Sequence, residues 1–454
     1  MMWTLSEAAA LVGGRIEGAD VRFGSVGKDS RGDCSGELFL ALRGERFDAH
    51  DFVAQAQQNG AAAAMVERRL DLNIPQWVVG DVRLALGKLA AAWRDRFQGK
   101  VIAVTGSNGK TTCKEMIAAV LARVGSVRAT QGNLNNDIGM PLTLLAARDE
   151  DFLVLEMGAN HPGEIGYLTD IGRPNLAVIT NAGRAHLEGF GSVEGVARAK
   201  GEIARGLPAD GTFIVPSDSP WTHLWRELAA GRPMLTCGPG VSADVCGLLD
   251  GVAGVWDEGG FRTGFSVRIG GKDLDIELPL AGSHNVRNAL VAVAVASVLG
   301  IGSEAIRAGL AGMKPVAGRL NPRVGDGGLR LIDDSYNANP DSVRAAIDVL
   351  MGLPGRHCLV LGDLGELGPD ASELHRGLGE AARAAGVDAL YTVGKLSRLA
   401  ADAFGEDGRH YSDQTSLIAA LSGRLGPEDL VLVKGSRLAA MERVADALCG
   451  GGDA

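Results

Sequence analysis

A glycine-rich turn that directly follows an apolar, β-branched strand constrains the fold of this chain more than any other feature. The strand is predicted over residues 101–105, the turn reads Gly-Ser-Asn-Gly-Lys-Thr-Thr over 106–112, and a helix is predicted over 113–124. Glycines allow backbone N–H groups to converge on an anion, and a helix N-terminus adds the positive end of its dipole. We therefore expect this turn to bind a nucleotide phosphate within an α/β domain.

The lysine and the hydroxyl of this turn have roles that follow from their chemistry. Lys110 would supply a cation for the β- and γ-phosphates, and Thr111 a hydroxyl for Mg²⁺. The spacing departs from the usual Walker pattern, because the glycine expected five residues before the Gly-Lys pair is replaced by Val104. An ordinary glycine turn with a surface lysine is the alternative, and the flanking strand and helix argue against it.

Length, charge and cysteine usage limit the class of protein. At ~150 residues per domain, 454 residues predict about three domains. The net charge of −10 argues weakly against nucleic acid as a main partner. Six scattered cysteines without a C-x-x-C pair are typical of reduced thiols in the cytosol. The longest strongly apolar run, 289–299, is far short of the ~20 residues that span a bilayer. We expect a cytoplasmic protein without a membrane span.

Alternating strands and helices predict three α/β domains. A small α/β domain occupies residues 1–98, with a helix over 85–97. Residues 99–313 predict a P-loop-type domain with a mostly parallel, doubly wound sheet, and two alternating strands at 265–278 extend it by a β-hairpin. A Gly/Pro-rich hinge at 312–315 leads to a third α/β domain over 314–454.

Titratable side chains follow the strands of the middle domain. Glu156 ends the second strand and His186 follows the third, so both should face the crevice of the phosphate-binding turn, because ligands of open α/β sheets bind at strand carboxyl ends. With Thr111 they could hold Mg²⁺. Glu156 could equally be a capping or surface acid. The helical pattern around Lys200 by itself predicts a solvated surface lysine.

Two further segments are rich in polar groups. Residues 132–141 carry three asparagines that could cap turns or bind a polar substrate. Residues 333–340 offer a carboxylate and an aromatic ring at another strand end, and the preceding Arg319 could reach a phosphate as a bidentate cation.

Ten segments along the chain form a specific set. In order they read TGSNGKTT, GNLNNDIGMP, EMGANHPGEI, TNAGRAHLEGFGS, ARAKGEI, GSHNVRNAL, GRL, DDSYNANP, LGDLGELG and VKGSR. This set resembles the Mur ligase family of bacterial cell-wall enzymes, and the resemblance extends upstream to residues 29–31 and 44–52. Within the family, GNLNNDIG and DDSYNANP favour the activity that adds D-alanyl-D-alanine to UDP-N-acetylmuramoyl-tripeptide.

The resemblance implies an ATP-dependent amide ligase of peptidoglycan synthesis. An acyl phosphate would react with the dipeptide amine to give UDP-N-acetylmuramoyl-pentapeptide, ADP and phosphate. The three domains would be a UDP-sugar-binding domain, an ATP-binding ligase domain and a Rossmann-like ligase domain, in a monomer that binds ATP and Mg²⁺. Another amide ligase of the superfamily, such as the diamino-acid-adding enzyme or a folylpolyglutamate synthase, stays open, as does a non-catalytic P-loop switch.

The resemblance also implies roles for individual residues. The catalytic residues would be Lys110, His186 and Lys200. ATP would contact Gly106, Ser107, Asn108, Gly109, Lys110, Thr111, Thr112, Asn285, Asn288, Arg319, Asp334 and Tyr336. Mg²⁺ would be surrounded by Thr111, Glu156, His186 and Lys200, the last as a CO2-derived carbamate. The UDP-sugar would contact Ser30, Arg31, Asn133, Asn135 and Asn136. Candidates for the dipeptide are Asn337, Asn339 and the 361–368 loop.

Overall fold

The computed structural model describes residues 2–44, 47–248, 254–257 and 260–450. Residues 45 and 46 of the 44–52 segment lie outside the described residues. The chain forms three α/β units in sequence, as predicted. In the described part of the chain, no helix is both long and apolar enough to cross a bilayer.

The N-terminal unit is built on a five-stranded sheet. The strands of the unit are β1 (Trp3–Thr4), β2 (Arg15–Glu17), β3 (Arg22–Phe23), β4 (Ser25–Gly27), β5 (Glu37–Leu40), β6 (Arg43–Gly44), β7 (Phe47–Asp48), β8 (Ala63–Val66) and β9 (Gln76–Val78). Its helices are α1 (Leu5–Val12), α2 (Val53–Gln58) and α3 (Val82–Arg94). The sheet order is β2-β9-β8-β5-β4. Outside the five-stranded sheet, β1 pairs with β3 and β6 pairs with β7. Helix α3 begins three residues before the predicted start, because the Asp81 side chain caps it by accepting from Leu84 N at 2.9 Å.

The central unit is a ten-stranded sheet with helices on both faces. Its first elements are β10 (Lys100–Thr105), α4 (Lys110–Leu121), β11 (Val127–Ala129), α5 (Gly139–Ala146), β12 (Phe152–Glu156), α6 (Glu164–Gly172), β13 (Leu176–Ile179), α7 (Leu187–Phe190) and α8 (Val193–Gly201). They are followed by β14 (Thr212–Pro216), α9 (Thr222–Leu228), β15 (Met234–Pro239), β16 (Val245–Leu248), β17 (Val255–Asp257), β18 (Gly260–Ile269), β19 (Lys272–Leu278), α10 (Ser283–Val298) and α11 (Ser303–Ala311).

The order of this sheet is β11-β12-β10-β13-β14-β15-β16-β18-β17, with β19 paired to β18. The strands from β11 to β16 are parallel, and β18 with β19 forms the predicted antiparallel hairpin. Residues 101–104 of β10 are all apolar, as expected for a strand with both faces buried: Val101 and Ala103 belong to one hydrophobic cluster, Ile102 and Val104 to another that includes α4 and α10.

The helix after the glycine turn begins earlier than predicted. Gly109 adopts a left-handed conformation with φ 79° and immediately precedes α4, so Lys110 and the two following threonines form its first turn. The prediction of a loop up to residue 112 was therefore wrong. Both threonines are buried, and α4 packs against α10.

The C-terminal unit carries a six-stranded sheet with the order β20-β21-β25-β22-β23-β24. Its elements are β20 (Asn321–Val324), β21 (Arg330–Asp334), α12 (Pro340–Met351), β22 (Arg356–Gly362), α13 (Ala371–Ala385), β23 (Ala389–Val393), α14 (Arg398–Phe404), β24 (Gly408–Tyr411), α15 (Gln414–Ser422), β25 (Asp429–Lys434) and α16 (Glu442–Leu448). All neighbours except β20 and β21 pair in parallel, so the carboxyl ends of β21, β22 and β25 share one edge.

Candidate active site

A cavity of about 780 Å³ lies between the central and C-terminal units. Strands β10, β12 and β13 lead into it at their carboxyl ends, and the segments after β21 and β25 close its other side. The structure therefore brings most of the predicted residues together. Those that line the cavity are Ser107, Asn108, Gly109, Lys110, Thr111, Thr112, Asn133, Asn135, Asn136, Glu156, His186, Asn285, Asn288, Arg319, Asp334, Tyr336, Asn337 and Asn339.

The glycine turn has the shape that an anion-binding loop requires. A β-carbon on Gly106 would lie 2.0 Å from Thr180 Oγ1, and one on Gly109 would lie 2.5 Å from Asn288 Oδ1, so a larger residue would have to displace these side chains. Lys110 Nζ donates to Gly106 O at 2.7 Å and to Ser107 O at 3.3 Å. Burial lowers the pKa of Lys110 below its usual range, although the charge of Glu156 opposes this shift.

Glu156 is buried at the end of β12 and is fully engaged. Thr111 Oγ1 donates to its Oε2 at 2.9 Å, and Asn135 Nδ2 donates to its Oε1 at 2.7 Å. Only 2% of Glu156 is exposed, because β12 lies between β11 and β10 in the sheet. The interpretation of Glu156 as a surface acid was therefore wrong. The carboxylate can stabilise a cation beside the phosphate loop.

Lys200 is buried and forms no ion pair with a carboxylate of the described residues. Its Nζ donates to Ala159 O at 3.4 Å and lies 5.1 Å from the ring centroid of Phe190, with 1% of the residue exposed. Burial, and secondly the charge of Lys110, lowers its pKa to about 7. The helical pattern wrongly predicted a solvated lysine, because α6, α7 and α9 all pack against α8. Lys200 does not itself line the cavity, whereas Ala159 does.

His186 is turned toward the C-terminal unit. It adopts a left-handed conformation with φ 53°, and its Nδ1 lies 2.5 Å from Oε2 of Glu366. This contact lowers the pKa of Glu366. Within the described residues no cluster of three His, Cys, Asp or Glu side chains could hold a metal. A cation at Thr111 and Glu156 would therefore need further oxygen ligands from phosphates or from a modified side chain.

Two cations of the C-terminal unit line the cavity. Arg319 Nη2 donates to Thr111 Oγ1 at 3.0 Å, and its guanidinium stacks 4.2 Å from the ring centroid of Tyr336. Lys434 donates to Asp334 at 2.5 Å, and burial raises the pKa of this aspartate despite the pairing. Sequence reasoning noted the VKGSR segment but gave Lys434 no role. Its place at the carboxyl end of a buried strand was the signal that could have identified it.

The asparagines divide into those that lie beside the glycine turn and those that stabilise local structure or line the cavity elsewhere. Asn285 Nδ2 donates to Ala281 O at 2.8 Å, and Asn288 Nδ2 donates to Asn285 Oδ1 at 3.3 Å; both are buried beside the glycine turn. At the start of α5, Asn136 Oδ1 accepts from Gly139 N at 2.9 Å. Asn136 therefore caps a turn, which is one of the two roles predicted for these asparagines. Asn133 lines the cavity.

Sequence reasoning missed a pair of residues that fixes the glycine turn. Asn181 Oδ1 accepts from Asn108 N at 2.9 Å, and Thr180 Oγ1 donates to Asn108 O at 2.6 Å. Both residues follow β13, so the carboxyl-end rule that selected His186 could have selected them as well.

Other predicted residues lie apart from the cavity or are engaged elsewhere. Ser30 Oγ donates to Gln55 Oε1 at 3.0 Å, Arg31 pairs with Asp29 at 2.7 Å, and neither residue lines the cavity. Gly106, also absent from the lining, instead contributes its carbonyl to the lysine of the turn. Asn337 Oδ1 accepts from Arg437 N at 3.2 Å.

Comparison with known proteins assigns a family to this geometry. The family model described as Mur ligase family, catalytic domain, matches residues 22–94. The Mur ligase middle domain matches residues 104–296, and the glutamate ligase domain of Mur ligases matches residues 318–437. The three matches fall in order on the three α/β units.

Relatives match nearly the whole chain. The UDP-N-acetylmuramoyl-tripeptide–D-alanyl-D-alanine ligase of Escherichia coli (strain K12) is 44% identical over 448 residues, 98% of each chain. A crystal structure of MurF from Acinetobacter baumannii is 38% identical with a TM-score of 0.91 over 99% of both chains. MurF ligase from Thermotoga maritima in complex with ADP is 31% identical, with a TM-score of 0.83 over 94% of this chain and 97% of that chain. The chain therefore belongs to the Mur ligase family.

Proposed function

We propose that this chain is an ATP-dependent ligase that adds D-alanyl-D-alanine to UDP-N-acetylmuramoyl-tripeptide in peptidoglycan synthesis. The observation that carries this proposal is the 44% identity to the E. coli ligase of that name over 98% of both chains. The cavity supports it, because a phosphate-binding turn, a buried carboxylate and cations from a second unit face one space. The domain assignment over 1–98, 99–313 and 314–454 belongs to the same proposal.

The reaction proceeds in two steps. The terminal carboxylate of the tripeptide attacks the γ-phosphate of ATP, and ADP leaves. The amine of the dipeptide then attacks the acyl carbonyl, which forms the amide, releases inorganic phosphate and gives up one proton. Lys110 and Arg319 lie where negative charge builds up on the phosphates, and electrostatic stabilisation of this kind is often the largest contribution to catalysis.

The ATP site uses both the central and the C-terminal unit. Residues 106–112 hold the phosphates, and Asn285 and Asn288 lie at the adenine. The stacked Arg319 and Tyr336, with the Asp334–Lys434 pair behind them, contact ATP from the C-terminal unit. The ADP complex of the Thermotoga maritima relative supports a nucleotide site in this fold.

Mg²⁺ is proposed to bind at Thr111 and Glu156, with His186 nearby and a carbamate on Lys200 in support. Mg²⁺ would neutralise phosphate charge when bound. A buried amine with a pKa of about 7 is substantially neutral at physiological pH, and the neutral amine is the form that adds to CO2. The carbamate would offer Mg²⁺ an anionic oxygen ligand. A protonated Lys200 would instead repel the metal ion.

The remaining assignments concern the other substrates and the setting of the enzyme. Ser30 and Arg31 are proposed to contact UDP, the asparagines at 133, 135 and 136 the muramoyl part, and Asn337 and Asn339 the dipeptide. We propose a monomer in a reducing, cytoplasmic compartment, since five cysteines are buried free thiols: Cys34, Cys113, Cys237, Cys246 and Cys358.

A coupled phosphate-release assay tests the proposal. Wild-type protein receives ATP and Mg²⁺ with UDP-N-acetylmuramoyl-tripeptide plus D-alanyl-D-alanine or no acceptor, with UDP-N-acetylmuramoyl-dipeptide plus a free diamino acid, or with a folate plus glutamate. We expect turnover that requires D-alanyl-D-alanine and yields the pentapeptide by mass. Preference for a diamino acid or glutamate would favour another amide ligase. Hydrolysis that is indifferent to every acceptor would favour a nucleotide switch.

A further inference from the structure

We propose that Asn108 and Asn339 are positioning residues that hold the C-terminal unit against the phosphate loop. Asn339 Nδ2 donates to Asn108 Oδ1 at 2.7 Å, and Asn108 Nδ2 points back to Asn339 Oδ1 at 3.5 Å. The two residues are 231 positions apart and belong to different units. We call this reciprocal amide contact the asparagine clasp.

The central half of the clasp is held rigidly. The backbone of Asn108 is satisfied on both sides, because its N–H donates to Asn181 Oδ1 at 2.9 Å and its carbonyl accepts from Thr180 Oγ1 at 2.6 Å and from Asn181 Nδ2 at 2.9 Å. Only its side chain remains to reach across the cavity. A displacement of the glycine turn would therefore move the Asn108 amide directly.

The C-terminal half of the clasp is part of a helix cap. Asn339 Oδ1 accepts from Ser342 N at 2.9 Å, and Asn339 N donates to Ser342 Oγ at 3.0 Å, which makes a capping box at the start of α12. In the same helical turn, Asp341 Oδ2 accepts from Arg184 N at 2.8 Å. The N-terminus of α12 thus docks on two loops of the central unit, one after β10 and one after β13.

This docking sets the approach of the Arg319 guanidinium to the glycine turn. Arg319 of the C-terminal unit reaches Thr111 Oγ1 of the central unit at 3.0 Å, so this contact joins the same two units as the clasp. A loosened clasp lowers the fraction of molecules in which Arg319 faces the phosphates, so it lowers kcat more than it changes ADP affinity. This kinetic consequence rests on the proposed ligase function, whereas the structural consequence does not.

The test uses the full chain and four variants. Asn108→Ala removes one amide, and Asn339→Ser removes the other while serine still caps the helix. The double variant completes a mutant cycle. Ser342→Ala is the matched control, because it breaks the capping box and leaves both clasp amides in place. Each protein is measured for melting temperature, for radius of gyration by small-angle scattering with saturating ADP, and for kcat.

We expect both single variants to show a larger radius of gyration than wild type and a kcat lower by about 3–10-fold, the range of one net hydrogen bond. The double variant should be no worse than the worse single one. Ser342→Ala should lower the melting temperature and keep the wild-type radius. An unchanged radius in either single variant, or losses that multiply in the double variant, would overturn the clasp. If wild type lacks ligase turnover, the proposed function fails and the scattering still decides the clasp.

Discussion

Thr111 and Glu156 meet through one buried hydrogen bond, from Oγ1 of the threonine to Oε2 of the carboxylate at 2.9 Å. Because Asn135 Nδ2 donates to the other oxygen at 2.7 Å, Glu156 serves two donors at once. Glu156→Gln removes the negative charge and places an NH2 group opposite one of these two donors, the Thr111 hydroxyl or the Asn135 amide. We expect turnover to fall by about 10²–10³-fold, as for loss of a preorganised charge, with a higher Mg²⁺ concentration for half-maximal rate. Steady-state phosphate release over a Mg²⁺ titration measures both.

Glu194→Gln is the matched control for this change. Glu194 is an exposed residue of α8 that pairs with Arg198 at i+4, so the same loss of charge should leave turnover within twofold, since such surface pairs contribute about 0.3–0.5 kcal/mol. Equal Mg²⁺ dependence in Glu156→Gln and wild type would remove Glu156 from the cation site.

Within the described residues, the Lys110 ammonium donates hydrogen bonds only to backbone carbonyls, so its removal should spare the fold. Lys110→Ala is expected to lower turnover by at least about 10²–10³-fold, because phosphate charge would then develop without the cation of the glycine turn. Lys88→Ala, an equal loss of charge on an exposed position of α3, is the control. Circular dichroism melts establish folding. A folded Lys110→Ala protein with near-normal turnover contradicts the phosphate role.

Arg319 combines a hydrogen bond with aromatic stacking, and lysine reproduces neither. Its planar guanidinium lies over the Tyr336 ring and also donates to Thr111. Arg319→Lys should therefore lower kcat by at least about tenfold although the charge is kept, since a stacked arginine is not replaced by a flexible ammonium. Tyr336→Phe keeps the ring and should retain most of the activity. Wild-type kcat in Arg319→Lys would show that only the charge matters.

The sequence was sufficient for the architecture, because strand–helix alternation and the carboxyl-end rule are local patterns. They placed Glu156 and His186 near the glycine turn, and the cavity includes both. These patterns failed for Lys200, because burial of a helix face depends on which other helices pack against it. Helices α6, α7 and α9 cover α8, and a local sequence pattern does not show that packing.

Contacts between units also lay beyond the reach of the sequence. Nothing local to Asn339 indicates that its amide meets Asn108, since the pairing depends on how two separately folded sheets face each other. The pairing of Lys434 with Asp334 is different, because it joins the ends of two neighbouring strands, β25 and β21, of one sheet.

The carbamate on Lys200 can be observed directly. Wild-type protein in ¹³C-bicarbonate should give a carbamate signal by NMR that is absent from Lys200→Ala, and both should be folded. Lys200→Arg should stay inactive, because it keeps a positive charge and cannot add CO2. A small carboxylic acid at high concentration should partly restore Lys200→Ala. Near-wild-type activity of Lys200→Arg would show that no modified lysine is needed.

Titration of Lys200 should also appear in the pH dependence of stability. Its pKa in the folded protein is about 7, against 10.5 for an unperturbed lysine, so between these values the unfolded chain holds a proton that the folded chain has lost. The free energy of unfolding should therefore rise with pH across this window, by at most ~1.4 kcal/mol per pH unit from this group. Lys200→Met removes the contribution, and the exposed Lys88→Met does not. Urea unfolding of the three proteins at pH 7, 8 and 9 in CO2-free buffer measures the difference. Parallel pH profiles of wild type and Lys200→Met would mean that Lys200 keeps its proton when folded.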